Sequence, residues 1–440
     1  MFASAAVIFL QNLQQDDTTL SNHQQRFNKL LQDIQQISYK VHIHHLREDT
    51  DLETTLTEFL KLHDIVITIG NLTEELFTAV AKVYDEHWTD DCKETSREIN
   101  EDSDSSEYKY FQIITEQQNH ILKLHRFYFI ESDCVDLDFT QLLKQLNSFT
   151  RKPVYSKVFH YNKSDKRANE FVDKLISREN GVRCKKLTEN EVIVSSGSIE
   201  EINALHQHFV DSYEVENSFV LDEYEEEILN SPCIFIQEAI QYIKECFDLY
   251  KPENVFICFN GGKDCTVLLH LMMLILRTYY SNFNRPVFCM YVQSKKPFPQ
   301  VTAFIDKLKK YYNLDVHTLT LGIKDGLAAI LQDKPNLKAC LMGTRRSDPF
   351  SANLRHFQAT DNGWPEIMRV SPLLDWEFAH VWDYLLSFKV PYCCLYDEGY
   401  TSLGNVDNTL KNPQLLNEDT GAYYPAYRLL KSTKERSGRM

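Results

Sequence analysis

The sequence predicts an α/β protein whose C-terminal half is a doubly wound, mostly parallel sheet, preceded by a smaller α/β region. Short apolar runs typical of buried strands alternate with longer runs that have helical spacing. The chain has 440 residues, enough for two to three domains that each bury a core. Hydrophobic residues make up 43% and charged residues 25%, as in ordinary globular proteins.

The first part of the chain alternates strands and helices. The predicted elements are a strand at 5–10, a helix at 20–37, a strand at 39–44, a helix at 56–62, a strand at 64–70 and a helix from Thr73. Such alternation favours a parallel sheet with helical crossovers.

Two charged segments divide the chain. One is strongly acidic and nearly free of apolar residues, which is typical of a loop or linker, and the other reads LDEYEEE. We therefore expect a region at 1–215, with a core at about 1–90, an acidic linker at 90–107 and an accessory α/β part at about 121–213, followed by a second domain at 218–440.

The second domain repeats the alternation more regularly. We expect helices at 235–247, 266–279 and 299–312, and strands at 255–259, 287–292, 316–321 and 339–342. In a doubly wound sheet, ligands bind at the carboxyl ends of the strands.

Charge and composition exclude several classes of function. A formal net charge of -16 argues against broad attachment to nucleic acid or anionic membranes. The 11 cysteines are sparse and odd in number, which favours a reducing compartment. The start has no basic leader, and no apolar run approaches the ~20 residues of a bilayer span. We expect a cytoplasmic protein with no nucleic-acid or membrane partner.

The most informative segment joins the predicted strand 255–259 to an apolar helix through Asn260, Gly261, Gly262, Lys263 and Asp264. Adjacent glycines allow close approach of a ligand, and a helix N-terminus attracts anions. The spacing differs from the GxxxxGK[ST] phosphate loop. A tight turn with a solvated Lys-Asp pair is the alternative.

The NGGKD segment resembles the PP-loop of ATP pyrophosphatases, and FNGGKDC resembles eukaryotic FAD synthases. The resemblance implies a fold of the adenine-nucleotide alpha-hydrolase-like type, with ATP and FMN as substrates, FAD as product and Mg²⁺ as metal. It assigns the loop, Asn260 to Asp264, to ATP and pyrophosphate, and Asn260 and Asp264 also to catalysis and the metal.

A second motif follows the strand predicted at 339–342. The residues GTRRSDP resemble the GxRxxDP motif of the same family. The resemblance assigns Gly343 and Arg345 to ATP, and Arg346 and Asp348 to the flavin, whose ring edge offers hydrogen-bond donors. A surface turn closed by Asp-Pro is the alternative.

Three further segments match the family. DNGWP supplies Asp361 as a catalytic residue and Trp364 as a flavin contact, and VPYCCLYDEGYTSLGNVDN matches over nearly its full extent. The C-terminal ERSGR supplies Arg436 and Arg439, which the resemblance assigns to catalysis through phosphate charge. A disordered basic tail is the alternative for those arginines.

The N-terminal region resembles the molybdopterin-binding-like domain fused to animal FAD synthases. That family normally has GDE and GGxGPTxDD, where this chain has Leu10-Gln11-Asn12 and Gly70-Asn71-Leu72. We expect a degenerate domain with a structural or regulatory role rather than pterin binding or FAD hydrolysis.

The function predicted from these motifs is FMN adenylyltransferase, with delivery of FAD to client flavoproteins as a further expectation. A phosphoadenylyl-sulfate reductase would need a reactive cysteine near the C-terminus, yet no cysteine follows Cys394. A tRNA-modifying enzyme would bring paired CxxC cysteines and a basic face. A nucleotide sensor would bind ATP without turnover.

Overall fold

A computed structural model describes residues 3–10, 29–35, 39–46, 51–70, 74–84, 112–113, 121–131, 142–143, 155–161, 164–176, 182–186, 190–212, 219–220, 224–320 and 322–440. The acidic linker predicted at 90–107 and most of the helix predicted at 20–37 lie outside the described residues.

The first sheet has six strands in the order β2-β1-β3-β6-β5-β4. β1 pairs in parallel with β2 and β3, and β3 pairs in parallel with β6. The predicted βαβ alternation is confirmed here. The elements are β1 (Ala3–Leu10), β2 (Tyr39–Leu46), α1 (Leu52–Leu62), β3 (Ile65–Gly70), α2 (Glu74–Val83), β4 (Gln112–Ile113), β5 (Ile121–Leu124) and β6 (Phe127–Glu131).

One boundary within the N-terminal region needs correction. The sequence assigns residues from about 121 to an accessory part, but β5 and β6 complete the first sheet. The side chains of β6 alternate between two cores, with Phe127 and Phe129 on one face and Tyr128 and Ile130 on the other. The acidic insertion separates β6 from its partner β3 in sequence, so local patterning does not reveal the pairing.

The second sheet, in the order β10-β7-β9-β8, is antiparallel and packs on the C-terminal domain. Lys157 Nζ donates to Lys310 O at 2.8 Å, and Asn203 Nδ2 donates to Lys307 O at 3.0 Å. One hydrophobic core runs through both parts. The elements are β7 (Tyr155–His160), α3 (Lys166–Ile176), β8 (Val182–Lys186), β9 (Glu191–Ser196), α4 (Ile199–Ser212) and β10 (Phe219–Val220).

The third sheet has the order β13-β12-β11-β14-β16-β15, and only β15 is antiparallel. The predicted doubly wound architecture is confirmed. The elements are α5 (Glu225–Leu229), α6 (Ile234–Tyr250), β11 (Val255–Cys258), α7 (Lys263–Tyr279), β12 (Val287–Val292), α8 (Pro299–Tyr311), β13 (Leu314–Leu319), α9 (Ile323–Asp333), β14 (Ala339–Met342), β15 (Phe357–Ala359), β16 (Met368–Val370) and α10 (Phe378–Ser387).

The topology of this sheet locates a ligand site. The chain leaves β11 toward β12 on one side, and returns later to place β14 on the other side. The carboxyl ends of β11 and β14 therefore flank the switch point, where doubly wound sheets bind ligands. The two loops singled out in the sequence, at 260–264 and 343–349, begin near these two ends. No helix in the described part of the chain is long and apolar enough to cross a membrane.

Candidate active site

The turn between β11 and α7 is shaped by its glycines. Gly261 has φ of +75°, a conformation that favours glycine. A Cβ at this position would lie 3.1 Å from Ile305 and 3.2 Å from Val301, so α8 packs directly on the turn. Gly262 is the N-cap of α7, which begins at Lys263, earlier than predicted. The strand, glycine turn and helix predicted from the sequence are confirmed.

Two amide groups of this turn are hydrogen-bonded within the protein. Gly262 N–H donates to Asn260 Oδ1 at 2.9 Å, and Lys263 N–H donates to the hydroxyl of Tyr396 at 2.9 Å. Asn260 Oδ1 also accepts from Cys265 Sγ at 2.8 Å. The amide oxygen of Asn260 therefore holds the turn together, and this contact does not support its predicted role as a metal ligand.

Lys263 points into the protein rather than out of the loop. Its side chain is 2% exposed, and its ammonium lies 2.9 Å from Asp264 Oδ2. The same ammonium forms an ion pair with Glu435 near the C-terminus. The predicted contact of Lys263 with pyrophosphate is thus not supported by the direction of its side chain.

Arg345 completes the buried cluster. Its side chain is 1% exposed, with Nε 2.7 Å from Asp264 Oδ1 and Nη2 2.5 Å from Glu435 Oε2. Among the described residues, Arg345 Nη1 has no hydrogen-bond partner. Two cations and two carboxylates balance each other, as buried charges require. We call Lys263, Asp264, Arg345 and Glu435 the buried cluster.

The buried cluster keeps Asp264 and Arg345 ionised. Burial alone would raise the pKa of Asp264, but Arg345 and Lys263 outweigh it and lower that pKa below its ordinary value. Burial would lower the pKa of Arg345, but Asp264 and Glu435 outweigh it and raise that pKa. Both groups are therefore charged at neutral pH.

Gly343 explains why the two loops meet. A Cβ on Gly343 would lie 2.8 Å from the backbone N of Cys265 and 2.9 Å from its Cα. Only glycine permits this approach, which brings the end of β14 against the start of α7. The structure thus joins the two motifs that the sequence singled out.

The residues after Arg345 divide into two groups. Asp348 Oδ2 accepts from the backbone N–H of Arg345 at 3.0 Å, and Arg436 Nη1 lies 3.8 Å from Asp348 Oδ1. Arg346 instead pairs with Asp375. Its Nη1 also donates to the carbonyls of Ala352 at 3.1 Å and Leu354 at 2.9 Å. Arg346 therefore holds its own loop, and these contacts do not support its predicted role in flavin binding.

Asp361 and Trp364 occupy an exposed turn. The side chain of Asp361 is 72% exposed and lies 3.5 Å from Arg369 Nη2, and Trp364 is 40% exposed. In the described part of the chain, no hydrogen bond or ion pair connects either residue to the buried cluster. The structure leaves both facing solvent.

Residues 431–440, here called the C-terminal arm, are packed rather than loose. Thr401 Oγ1 donates to Glu435 O at 2.6 Å, and Leu410 N–H donates to Gly438 O at 2.8 Å. A Cβ on Gly438 would lie 2.3 Å from Leu410 O. The alternative of a disordered basic tail is therefore wrong.

The arm places two guanidinium groups near each other. Burial and the charge of Arg436 lower the pKa of Arg439. The two positive charges therefore act on each other. Such a pair is suited to an anion, since phosphate binds arginine through charge-assisted hydrogen bonds.

Sequence reasoning missed Glu435 and Tyr396. Glu435 is the single acidic residue of the basic C-terminal arm, which is the signal that points to a specific partner. Tyr396 lies in the long matched segment 390–408, and no local pattern indicates its partner. Neither contact is local: Glu435 and Lys263 are 172 positions apart, and Tyr396 and Lys263 are 133 apart.

The described residues contain no group of three His, Cys, Asp or Glu side chains arranged to hold a metal ion. Mg²⁺ in nucleotide sites commonly takes one or two carboxylates together with substrate phosphates. Asp264 Oδ1 accepts no hydrogen bond from the described residues, although Arg345 lies close to it. The described residues therefore hold no pre-formed metal centre, and Asp264 is the loop carboxylate that would hold an ion arriving with ATP.

The chain is similar to several known proteins. Residues 254–329 and 325–411 match the phosphoadenosine phosphosulfate reductase domain. A probable FAD synthase of Schizosaccharomyces pombe is 38% identical over 207 residues, which are 46% of this chain and 77% of the relative. A probable FAD synthase of Caenorhabditis elegans is 39% identical over 208 residues, which are 46% of this chain but 40% of the relative.

Among solved structures, the Candida glabrata FMN adenylyltransferase in complex with FAD and inorganic pyrophosphate is similar at 26% identity. The likeness covers 49% of this chain and 93% of that chain, with a TM-score of 0.46.

The switch-point loops and the matched domain define a nucleotide-binding α/β protein of the phosphoadenosine phosphosulfate reductase type. Within that class, the chain belongs to the FAD synthase family. The resemblance seen in the NGGKD and GTRRSDP segments is therefore confirmed.

Proposed function

We infer that this protein is an FMN adenylyltransferase that makes FAD and pyrophosphate from FMN and ATP. Family membership supports this reaction. The structural observation that carries it is the meeting of the C-terminal arm with the start of α7, through Glu435, Lys263 and Arg345. This meeting brings arginines to the edge of the sheet where a nucleotide is expected to bind.

In this reaction a terminal phosphate oxygen of FMN attacks the α-phosphorus of ATP. A new P–O bond forms to that oxygen, the bond from the α-phosphorus to the bridging oxygen breaks, and pyrophosphate leaves with the electron pair. The nucleophile is already an anion, so no difficult proton transfer is needed. The protein mainly has to align two anions and offset their charge.

The contacts support a division of labour among the site residues. The turn at Gly261 and the N-terminus of α7 provide the positive electrostatic potential that attracts the pyrophosphate. Arg436 and Arg439 provide positive charge to the reacting phosphates. Lys263 and Arg345 act chiefly by binding Glu435, which fixes the arm that carries those arginines.

Asp348 and Asp361 are assigned different tasks. Asp348 lies near Arg436, so it is the better placed of the two to orient FMN beside the arm. Asp361 is exposed and meets ligand only if the flavin reaches its turn, with Trp364 alongside. Both assignments remain proposals.

We propose that Mg²⁺ accompanies ATP and that Asp264 is its protein ligand. When bound, the ion offsets negative charge on the phosphates. Asp264 is one-fifth exposed and ionised, which suits this role. A cytoplasmic location and delivery of FAD to client flavoproteins stay predictions from the sequence.

A direct assay tests the function. Purified protein is incubated with ATP, FMN and Mg²⁺, and FAD is separated and quantified by absorbance. We expect FAD and pyrophosphate in equal amounts, and no FAD when ATP is replaced by an analogue with a methylene bridge between the α and β phosphates. Binding of ATP without any FAD would instead identify a nucleotide sensor.

A further inference from the structure

The N-terminal sheet contacts the chain just before the C-terminal arm. Residues 425–430, here called the connecting stretch, lie between the two parts of the protein. Leu430 packs in the core of the first sheet with Leu60 and Phe127. The ring of Tyr427 lies 6.1 Å from that of Trp382 in α10. The arm therefore begins from a stretch of chain that contacts both the first sheet and α10.

Arg428 is the main polar link in the connecting stretch. Its Nη2 lies 2.6 Å from Asp64 Oδ1, with exposures of 12% and 17% for the two side chains. Its Nη1 donates to Lys61 O at 3.1 Å and Leu62 O at 3.3 Å. Those carbonyls end α1, where a cation is favoured. The contact is thus a multi-point clamp rather than a loose surface pair.

The backbone around Asp64, which binds Arg428, is itself held in place. Arg126 is 3% exposed, and it donates to Leu60 O at 3.0 Å, His63 O at 2.8 Å and Asp64 O at 3.0 Å. A second buried arginine therefore fixes the backbone that presents Asp64. Pre-organised partners lose less side-chain entropy on pairing than mobile ones do.

The same N-terminal unit touches the catalytic domain at a second point. His125 Nδ1 lies 2.8 Å from Asp383 Oδ2 in α10. Burial would raise the pKa of Asp383, but Lys123 and His125 outweigh it and lower that pKa. This contact does not involve the connecting stretch. A change at His125 therefore shows what weaker docking of the N-terminal unit does while the contacts of Arg428 stay intact.

We propose that the N-terminal unit positions the active site by clamping Arg428. The clamp fixes the start of the arm, and the arm carries Glu435, Arg436 and Arg439. This proposal rests on the proposed function for its catalytic readout. Asp64 and Arg428 are positioning residues, because they touch no reacting atom. The unit thereby serves synthesis through the position of the arm.

The test uses the full chain with Arg428→Gln, Asp64→Asn and the double variant. We expect kcat for FAD formation to fall at least about tenfold with smaller changes in KM, since misplacement of distant supports lowers turnover. Amide hydrogen exchange in residues 431–440 should accelerate. The double variant should be no worse than Arg428→Gln, because both changes break one clamp.

Two further variants sharpen the result. Arg428→Lys keeps a charge for Asp64 but loses the forked donors, so its kcat should be intermediate. His125→Gln weakens the second contact and should lower the thermal midpoint, while arm exchange and kcat stay near those of the wild type. A loss of kcat in His125→Gln equal to that in Arg428→Gln would contradict the proposal.

Unchanged kcat and arm exchange in both Arg428→Gln and Asp64→Asn would overturn the proposal, as would a lower kcat with normal arm exchange. If Arg428→Gln fails to fold, the near-isosteric Asp64→Asn decides. A wild-type protein that makes no FAD would refute the proposed function instead, whereas hydrogen exchange would still decide whether the clamp holds the arm.

Discussion

Glu435 and Lys263 form a buried ion pair across 172 positions of chain. Because Glu435 also binds Arg345, one carboxylate of the arm joins the ends of β11 and β14. The C-terminal arm is therefore an internal part of the proposed nucleotide site. Its two arginines are carried on an anchored segment instead of a mobile tail.

Replacing Glu435 by Gln should release the arm. We expect turnover to fall by about 10²-fold or more, the scale of losing a preorganised electrostatic group. Stability should fall by about 3 to 5 kcal/mol, because two buried cations lose a partner. Steady-state FAD synthesis and urea unfolding measure both effects. Glu418→Gln, on an exposed part of the same domain, is the matched control.

Asp264→Asn should lower both activity and stability. The change removes the charge that lies between Lys263 and Arg345, and it removes the proposed ligand of Mg²⁺. We expect a drop in kcat of about 10²-fold and a lower thermal midpoint. Asp333→Asn, at the exposed end of α9, should change neither. Full activity of Asp264→Asn would remove this residue from the mechanism.

Gly343→Ala should separate the two loops. The added Cβ would lie within 3.0 Å of the backbone at Cys265, and backbone atoms there cannot move aside cheaply. We expect a less stable protein with a higher KM for ATP, measured by thermal unfolding and initial rates. At Gly322, where the nearest atom is 4.0 Å away, the same substitution should have a small effect. Equal effects at both positions would argue against close packing as the cause.

Asp361→Asn tests the exposed turn. Because its side chain is 72% exposed, the substitution should leave the thermal midpoint within about a degree of the wild type. If the turn contacts flavin, the KM for FMN or kcat should change while the KM for ATP stays constant. Kinetics unchanged for both substrates would show that the Asp-Asn-Gly segment is only a turn.

The thermal midpoint should depend on pH through His63. Burial lowers the pKa of His63 to about 4 from 6.5, with smaller contributions from His42, His44 and Arg428 opposed by Asp64. Between these values the unfolded chain binds more protons than the folded one. The stabilisation is therefore complete above pH 6.5 and is lost as pH falls toward 4.

Thermal unfolding from pH 4.5 to 8 measures this dependence. In His63→Gln the loss of stability on acidification should be smaller than in the wild type, because the titrating group is gone. His208→Gln, at an exposed position of α4, should follow the wild-type curve. Parallel curves for His63→Gln and the wild type would exclude His63 as the cause.

Local patterns predicted most of the third sheet. Strand 287–292 and the helix starting at 299 follow from apolar runs and spacing, and their bounds agree closely with the structure. The strand expected at 316–321 lies at Leu314–Leu319, and α9 was not predicted. The polar side chains within β13 and the glycine within α9 weaken their local signals.

The sequence predicted where the two loops of the candidate site begin, but not the long-range contacts of their residues. Both loops were found from their glycines and from family resemblance, and Gly343 does bring them together. The ion pair of Lys263 with Glu435 was not predicted, because Glu435 lies at the far end of the chain. Long-range ion pairs leave no local pattern, so only the folded structure reveals them. The pairing of β6 with β3 also joins distant parts of the sequence, so local patterns do not predict it.

The short strand β10 bears on how the protein can be divided. Phe219 and Val220 pair with Val158 and Lys157 of β7, so the second sheet recruits residues beyond the predicted boundary at 218. A recombinant fragment that starts at Ser218 would contain β10 but not β7. The apolar side of α8 that faces the second sheet would then be exposed to solvent. Unpaired strand edges promote aggregation. A fragment that starts after Val220, with polar substitutions on that side of α8, is the better choice.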